Sequence, residues 1–196
     1  MSPAGPPAAR SEVAPDRVLV LCTANQCRSP LAGALLRREV SRRGLRVEVR
    51  TAGLGESGRP ATPETVAAAA GLGLDLGEHR SRTVDRELLA GADLVVGMER
   101  LHVREAVVLE PAVWRRAFTL REVVRRADAE GPRTRDEPLR GWLGHLSATR
   151  DRLALMGADD EDDVRDPTSD PTVDHATTAS ELEHLVRRLV DRTWPA

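Results

Sequence analysis

Lysine and tyrosine are both missing from these 196 residues. The 29 basic side chains are therefore all arginine, and the aromatics reduce to Trp114, Trp142, Trp194 and Phe118. Without lysine there is no Schiff-base chemistry and no Walker-type phosphate loop. So few aromatics do not furnish a nucleic-acid surface that works by base stacking. Thiols occur only at Cys22 and Cys27, which excludes a disulfide scaffold and an all-cysteine zinc site. No apolar run approaches the roughly 18 residues that a membrane span needs. Residues 1–16 lack the apolar segment of a secretory signal. Net charge is −2, so no broad basic field exists for nucleic acid or anionic lipid. The expectation is a cytoplasmic chain with reduced thiols and with neither a nucleic-acid nor a membrane partner.

What remains is the composition of a folded domain: 40% hydrophobic and 31% charged residues. Residues 1–16, rich in Pro and Ala, read as a disordered tail or a processing remnant. From there the pattern alternates. Arg17 to Leu21 is a short apolar run, as in a strand buried on both faces. Pro30 opens a helical pattern to about Gly44. Leu45 to Thr51 alternates as a second strand. Thr62-Pro63 caps an alanine-rich helix to about Ala70. Asp85 to Ala92 is a short helix, Asp93 to Met98 a third strand, Glu99 to Val108 a helix, and Ala117 to Leu120 a weak fourth strand. Residues 121–157 are arginine-rich and helical, broken at Gly131-Pro132. Residues 159–174 form an acidic loop, and Glu181 to Asp191 a closing helix with Leu182, Leu185, Val186 and Leu189 on one face. This order predicts one α/β domain over 17–194, with a central four-stranded parallel sheet, helices on both faces and an added helical segment at about 121–157.

The chemistry concentrates where the first strand runs into the first helix, in CTANQCRSP from Cys22 to Pro30. Cys22 ends the strand and Arg28 stands six positions later. Backbone N–H groups of such a loop and of the following helix converge on one concavity and favour an anion there. The same surroundings favour a nucleophilic thiolate. Arg28 presents a planar fork suited to two phosphate oxygens. Cysteine six positions before arginine is a weak signal in a chain this rich in arginine, and a lone strand-end cysteine is often an inert buried thiol. The strand, the mid-loop Asn25 and the Ser29-Pro30 helix start together argue for a built anion site.

These residues resemble the phosphate loop of the low-molecular-weight protein tyrosine phosphatases, with Cys22, Asn25, Cys27, Arg28, Ser29 and Pro30 matching. The resemblance implies a nucleophile at Cys22, a phosphate-binding Arg28, a Ser29 that stabilises the thiolate and an Asn25 that braces the loop. It makes Thr23, Ala24, Asn25, Gln26, Cys27 and Ser29 the phosphate-binding and loop-bracing set. Val49 to Gly53 resembles the end of the family's second strand, His79 and Arg82 its H-x-x-R segment, and Asp93 to Met98 its third strand. By that match Asn25, Ser29, Thr51 and His79 form a hydrogen-bond network beneath the loop. The likeness covers roughly 17–120 and 160–192. It implies the family's phosphotyrosine protein phosphatase I-like fold and needs neither cofactor nor metal.

A cysteinyl-phosphate mechanism also needs a proton donor for the leaving oxygen. The family carries an Asp-Pro pair before its last helix, and this chain offers Asp166-Pro167 and Asp170-Pro171. Val164, two before Asp166, favours the first pair. The neighbouring Asp159 to Asp163 read as a solvated acidic run. The family follows its Asp-Pro with aromatic residues that wall the pocket; here stand Thr168 and Ser169. Trp114 and Trp142 read as core residues rather than substitute walls. Cys27 is either a partner that bridges to Cys22 on oxidation, as the family implies, or a small packing residue. The formal GxGxxG at Gly53 to Gly58 does not open a helix at once and reads as a flexible rim loop, not a dinucleotide site. Among the five histidines only His79 takes a role.

The function expected is phosphate-monoester hydrolysis by Cys22, Arg28 and Asp166, on a phosphotyrosyl protein or a small phosphate monoester. Three alternatives stay open: arsenate reduction with an external thiol, a non-catalytic phospho-ligand binding module, and a redox sensor built on Cys22 and Cys27.

Overall fold

The computed structural model describes residues 14–157 and 161–195. The expected tail lies outside the described residues as far as residue 13, and the first strand begins at Asp16. The elements are β1 (Asp16–Cys22), α1 (Arg28–Arg42), β2 (Val47–Gly53), α2 (Pro63–Gly71), α3 (Arg86–Gly91), β3 (Leu94–Gly97), α4 (Arg100–Leu109), β4 (Ala117–Thr119), α5 (Leu120–Glu130), α6 (Leu139–Leu146) and α7 (His175–Thr193), with short 3-10 turns at Pro111–Arg116 and Arg152–Leu155. All strand pairs are parallel and the sheet order is β2-β1-β3-β4.

Alternation along β1 builds the two layers. Val18 and Val20 point to the face covered by α1, α5 and α7, where Leu35, Val123 and Leu189 are all buried. Leu19 and Leu21 point to the other face, against Leu88, Leu89 and Val103 of α3 and α4. Each such buried leucine contributes about 1.5–3 kcal/mol relative to exposure. Helices α5 and α6, within the segment read as an addition, bring Val124, Ala127, Trp142 and Leu143 into the first of these cores. They close the domain rather than stand outside it. Gly131 ends α5 with a φ of +94°, which its missing side chain allows.

Element ends move for local reasons. Helix α1 starts at Arg28, so Pro30 sits in the first turn, where its absent N–H is no loss. Helix α7 starts at His175, well before the expected Glu181, because the Asp174 carboxylate caps it by accepting from the Thr177 N–H. Its first turns lack the leucine stripe, yet Thr178 and Ala179 are buried.

The sheet order puts Cys22 where it matters. β1 is central, and the chain leaves it for β2 on one side and reaches β3 on the other. The crevice beyond the carboxyl ends of β1 and β3 is the switch point at which ligands bind in open α/β sheets. Cys22 pairs with Gly53 on one side and Leu21 with Gly97 on the other. Residues 53–55, 79–82 and 98–102 are thereby brought to the same edge.

Candidate active site

The loop from Cys22 to Arg28 is held from beneath by Asn25. This residue is fully buried and has a φ of +54°, a conformation asparagine tolerates better than most. Its Nδ2 donates to Ser29 Oγ (2.9 Å), its Oδ1 accepts from the Arg82 N–H (2.9 Å), and its carbonyl accepts from His79 Nε2 (2.7 Å). The last bond fixes His79 with its proton on Nε2. Burial and the charges of Arg37 and Arg80 lower the His79 pKa against the pull of that carbonyl, so the ring stays neutral near pH 7. Arg82 enters through its backbone; its guanidinium pairs with Asp85.

Ser29 Oγ lies 3.0 Å from Cys22 Sγ. Since Asn25 already donates to that oxygen, the serine proton is free to go to the sulfur, with the Ala52 carbonyl a longer 3.4 Å away. A hydroxyl at this distance is placed to donate to the sulfur. Thr51, expected in the same network, makes no hydrogen bond to Asn25, Ser29 or His79 among the described residues. Its methyl group packs on α1 instead, where a Cβ on Gly33 would stand 2.4 Å from it. Thr51 is thus corrected from a polar brace to a packing contact that sets α1 on β2.

The glycine-rich stretch after β2 is a clamp, not a loose rim. Leu54 and Gly55 both donate N–H to the Thr23 carbonyl, at 2.7 and 2.9 Å. A Cβ on Gly53 would come within 2.9 Å of the backbone of Thr23, Ala24 and Asn25, so only glycine fits. Gln26 is tied on the far side, donating to the Pro60 carbonyl and accepting from the Thr62 N–H.

Arg28 is 1% exposed and fully engaged. Nη1 bonds to the Glu99 carboxylate and to the Val164 carbonyl (2.8 Å), and Nη2 to Asp166 Oδ2 (2.6 Å). The second and third contacts bring the acidic loop onto the first helix, so Asp166 shares the cleft of Cys22. That cleft, about 230 Å³, is lined by Cys22, Thr23, Ala24, Gln26, Cys27, Arg28, Thr62, Asp166 and Thr168. Larger concavities, one of about 470 Å³ bordered by Arg17, Arg50 and Leu88, hold no nucleophile and lie away from this chemistry.

Asp170 stays outside the cleft, its nearest cation being Arg165 at 4.0 Å. The run read as solvated is partly buried. Asp162 is 4% exposed and bridges Arg100 of α4 (2.9 Å) and Arg125 of α5 (2.7 Å), and Asp163 accepts from the Arg100 N–H (2.7 Å). Burial alone would raise the Asp162 pKa, but the bonds from Arg125 and Arg100 outweigh it and lower the value. Asp159 and Asp160 lie outside the described residues. Cys27 is a free thiol hydrogen-bonded by Thr65, and burial pushes its pKa up to about 11. Trp142 sits in the core, and Trp114 stacks under the Arg150 guanidinium. Among the described residues no aromatic side chain lines the cleft.

Two residues escaped the sequence reading. Glu99 pairs with Arg28, and the fully buried His102 contacts Thr23 Oγ1 through Nε2 (3.0 Å). Both follow β3 at the switch point, which is the signal that would have found them. Among the described residues no group of three or more His, Cys, Asp or Glu side chains is placed to hold a metal ion, and no helix is long and apolar enough to cross a membrane.

Residues 17–156 match the model of the low molecular weight phosphotyrosine protein phosphatase family, a span that takes in most of 121–157. The chain is similar to a probable low molecular weight protein-tyrosine-phosphatase EpsP of Ralstonia nicotianae, 38% identical over 107 residues that cover 54% of this chain and 71% of that one. It is also similar to a protein-arginine-phosphatase of Bacillus subtilis, 34% identical over 138 residues, 69% of this chain and 88% of that one. Among solved structures, a low molecular weight protein tyrosine phosphatase from T. tengcongensis superposes with a TM-score of 0.67 at 29% identity, covering 90% of this chain and 98% of that one. A YwlE arginine phosphatase variant with a phosphorylated active-site serine superposes at 0.66 and 28% identity, covering 89% and 93%.

Proposed function

Because this chain belongs to the low molecular weight phosphotyrosine protein phosphatase family, we propose that its cleft hydrolyses phosphorylated protein side chains with Cys22 as nucleophile, Arg28 as phosphate clamp and Asp166 as proton donor. The observation that carries this assignment is the convergence of three groups at one helix N-terminus: a thiol bonded to Ser29, an arginine fork, and a carboxylate resting on that fork.

The phosphoryl group takes the place of Asp166 and Glu99 as the anion on Arg28. Cys22 sulfur attacks phosphorus, and the bond from phosphorus to the leaving atom breaks. The leaving atom takes its proton from the Asp166 carboxyl. The resulting carboxylate then accepts a proton from water as that water attacks phosphorus, and the S–P bond breaks to return the thiolate. Arg28 and the loop amides hold the equatorial oxygens in both steps, supplying the positive charge electrostatically.

The walls bear on the substrate. Phosphotyrosine offers an aryl ring, yet the walls here are Gln26, Thr62 and Thr168. This polar rim favours a second reading, in which the group cleaved is phosphoarginine and the leaving atom is a guanidine nitrogen. The protein-arginine-phosphatase among the relatives supports it. The deciding experiment is a panel of phosphotyrosyl peptide, phosphoarginyl peptide, sugar phosphate, nucleotide and aryl phosphate, run under reducing conditions on wild type, Cys22→Ser and Cys27→Ser. Cys22→Ser loses all turnover and Cys27→Ser keeps most of it. Full activity in Cys22→Ser would sink the mechanism. Thiol-dependent arsenate turnover without phosphatase activity would move the chain to the reductase alternative.

A further inference from the structure

The crevice between the ends of β1 and β3 contains a hydrogen-bond chain that the steps above do not use. His102 lies in the first turn of α4 and is fully buried. Its Nδ1 accepts the Glu99 backbone N–H at 2.9 Å. A backbone N–H only donates, so Nδ1 carries no proton. A neutral imidazole then holds its single proton on Nε2, 3.0 Å from Thr23 Oγ1, and gives it to that oxygen. Burial, reinforced by the positive charge of Arg28 and only partly opposed by Asp166, pushes the imidazole pKa down to about 3. The ring is therefore neutral near pH 7, with one tautomer.

The consequence falls on Thr23. Its hydroxyl accepts from His102, so its own proton has to go elsewhere. Thr23 is exposed to the cleft, and among the described residues no second partner takes that proton. Its carbonyl is pinned by the Leu54 and Gly55 amides, which leaves rotation about χ1 and about the Cβ–Oγ bond as the freedoms His102 restricts. A donor oriented in advance costs nothing to reorganise when charge develops on the substrate.

We propose that His102 is a positioning residue for phosphoryl transfer, its Nε2–H orienting the Thr23 hydroxyl to donate to a phosphoryl oxygen in the cleft. This rests on the phosphatase reading of the same cleft. It adds a side-chain donor at the β1 end of the site, in the same cleft as the Arg28 fork.

The test is a double-mutant cycle, read as aryl-phosphate kcat/KM and as the inhibition constant of inorganic phosphate. Thr23→Val lowers kcat/KM about tenfold or more and weakens phosphate inhibition, and Thr23→Ser restores most of the loss. His102→Phe costs several-fold with Thr23 present and nothing further in the Thr23→Val background, because the two act as one unit. An equal His102→Phe loss in both backgrounds would overturn the proposal, as would Thr23→Val activity within about twofold of wild type. Should His102→Phe fail to fold, nitrogen NMR of the wild-type imidazole decides. A proton on Nε2 at pH 5 to 8, with a shift that moves in Thr23→Val, supports the chain; a proton on Nδ1 refutes it. A wild type that hydrolyses nothing, while Thr23→Val still weakens phosphate binding, would remove the phosphatase reading and keep the anion-donor role.

Discussion

Asp166-Pro167-Thr168 and Asp170-Pro171-Thr172 are the same three residues written twice, four positions apart, and they fold the same way. In each, the aspartate Oδ1 accepts from the backbone N–H and from the hydroxyl of the threonine two residues on. The distances are 3.0 and 2.7 Å in the first turn and 2.9 and 2.5 Å in the second. Local sequence makes the turn in both. What separates them is the other oxygen. Asp166 Oδ2 lies 2.6 Å from Arg28, whereas among the described residues Asp170 Oδ2 has only Arg165 at 4.0 Å. The address comes from upstream. Val164 donates its N–H to Met98 at the end of β3 (2.8 Å) and accepts from Arg28, while Asp162 and Asp163 tie the chain to α4 and α5. A turn motif thus sets how an aspartate is presented, and its tether sets what it is presented to.

The largest break in this comparison comes from Asp166→Asn. The amide keeps an oxygen for the Thr168 bonds but has no proton to give. An alkyl or phenyl oxygen, which leaves badly as an anion, is expected to depart about 10²–10⁴-fold more slowly. A nitrophenolate leaves unaided and suffers much less. A leaving-group series measures this directly. Equal slowing of every leaving group would restrict Asp166 to the water step or to shaping the loop.

The same contrast explains what was legible in the sequence. The loop from Cys22 to Ser29 was, because its chemistry lies in consecutive residues at a strand-to-helix junction. His79 was placed by resemblance alone, and its ring donates to the Asn25 carbonyl. Thr51 was misjudged because a threonine at a strand end offers both a hydroxyl and a methyl, and here the methyl meets Gly33. Glu99 and His102 escaped, and Asp162 was read as solvated, for another reason. Their partners stand 60 or more residues away in most cases, and only the sheet order brings them together. A run of acidic residues looks solvated until two arginines are known to face it. The parallel pattern and the fold class, by contrast, rest on short-range periodicity and are borne out in the sheet.

Loosening the tether while leaving the turn intact is the next test. Asp162→Asn removes the charge that Arg100 and Arg125 share, at a site with a side-chain exposure of 5%. Because the arginines remain 17% and 45% exposed, the expected cost is about 1–2 kcal/mol rather than the larger loss of a fully buried pair. The Asp162 pKa is lowered on folding, so its stabilisation is complete above the ordinary carboxylate range and is lost as pH falls through the lowered value. The Tm gap between wild type and Asp162→Asn is therefore constant from pH 7 to about 5 and closes below it. A tether that addresses Asp166 also makes this variant steepen the leaving-group dependence, in the direction of Asp166→Asn. A fall in Tm with no change in that dependence would leave Val164 as the sole anchor.

The smallest effect is the sharpest control. Asp170→Asn keeps the oxygen that Thr172 bonds, and it removes a charge that sits near Arg165 but near nothing in the cleft. The Asp170 pKa is lowered by the two Thr172 bonds, a contact of the turn with itself, so the shift carries no functional weight. Kinetics within about twofold of wild type are expected for every leaving group, with Tm unchanged within error. The comparison turns on this variant because the two aspartates share sequence, turn and hydrogen bonds. If chemistry followed the motif, either one would serve, and Asp166→Asn would be partly covered by its neighbour. If it follows the tether, only the first protonates the leaving group. A steep leaving-group dependence in Asp170→Asn, with a shallow one in Asp166→Asn, would exchange their roles and require the loop to reseat on Arg28 by one repeat when substrate binds.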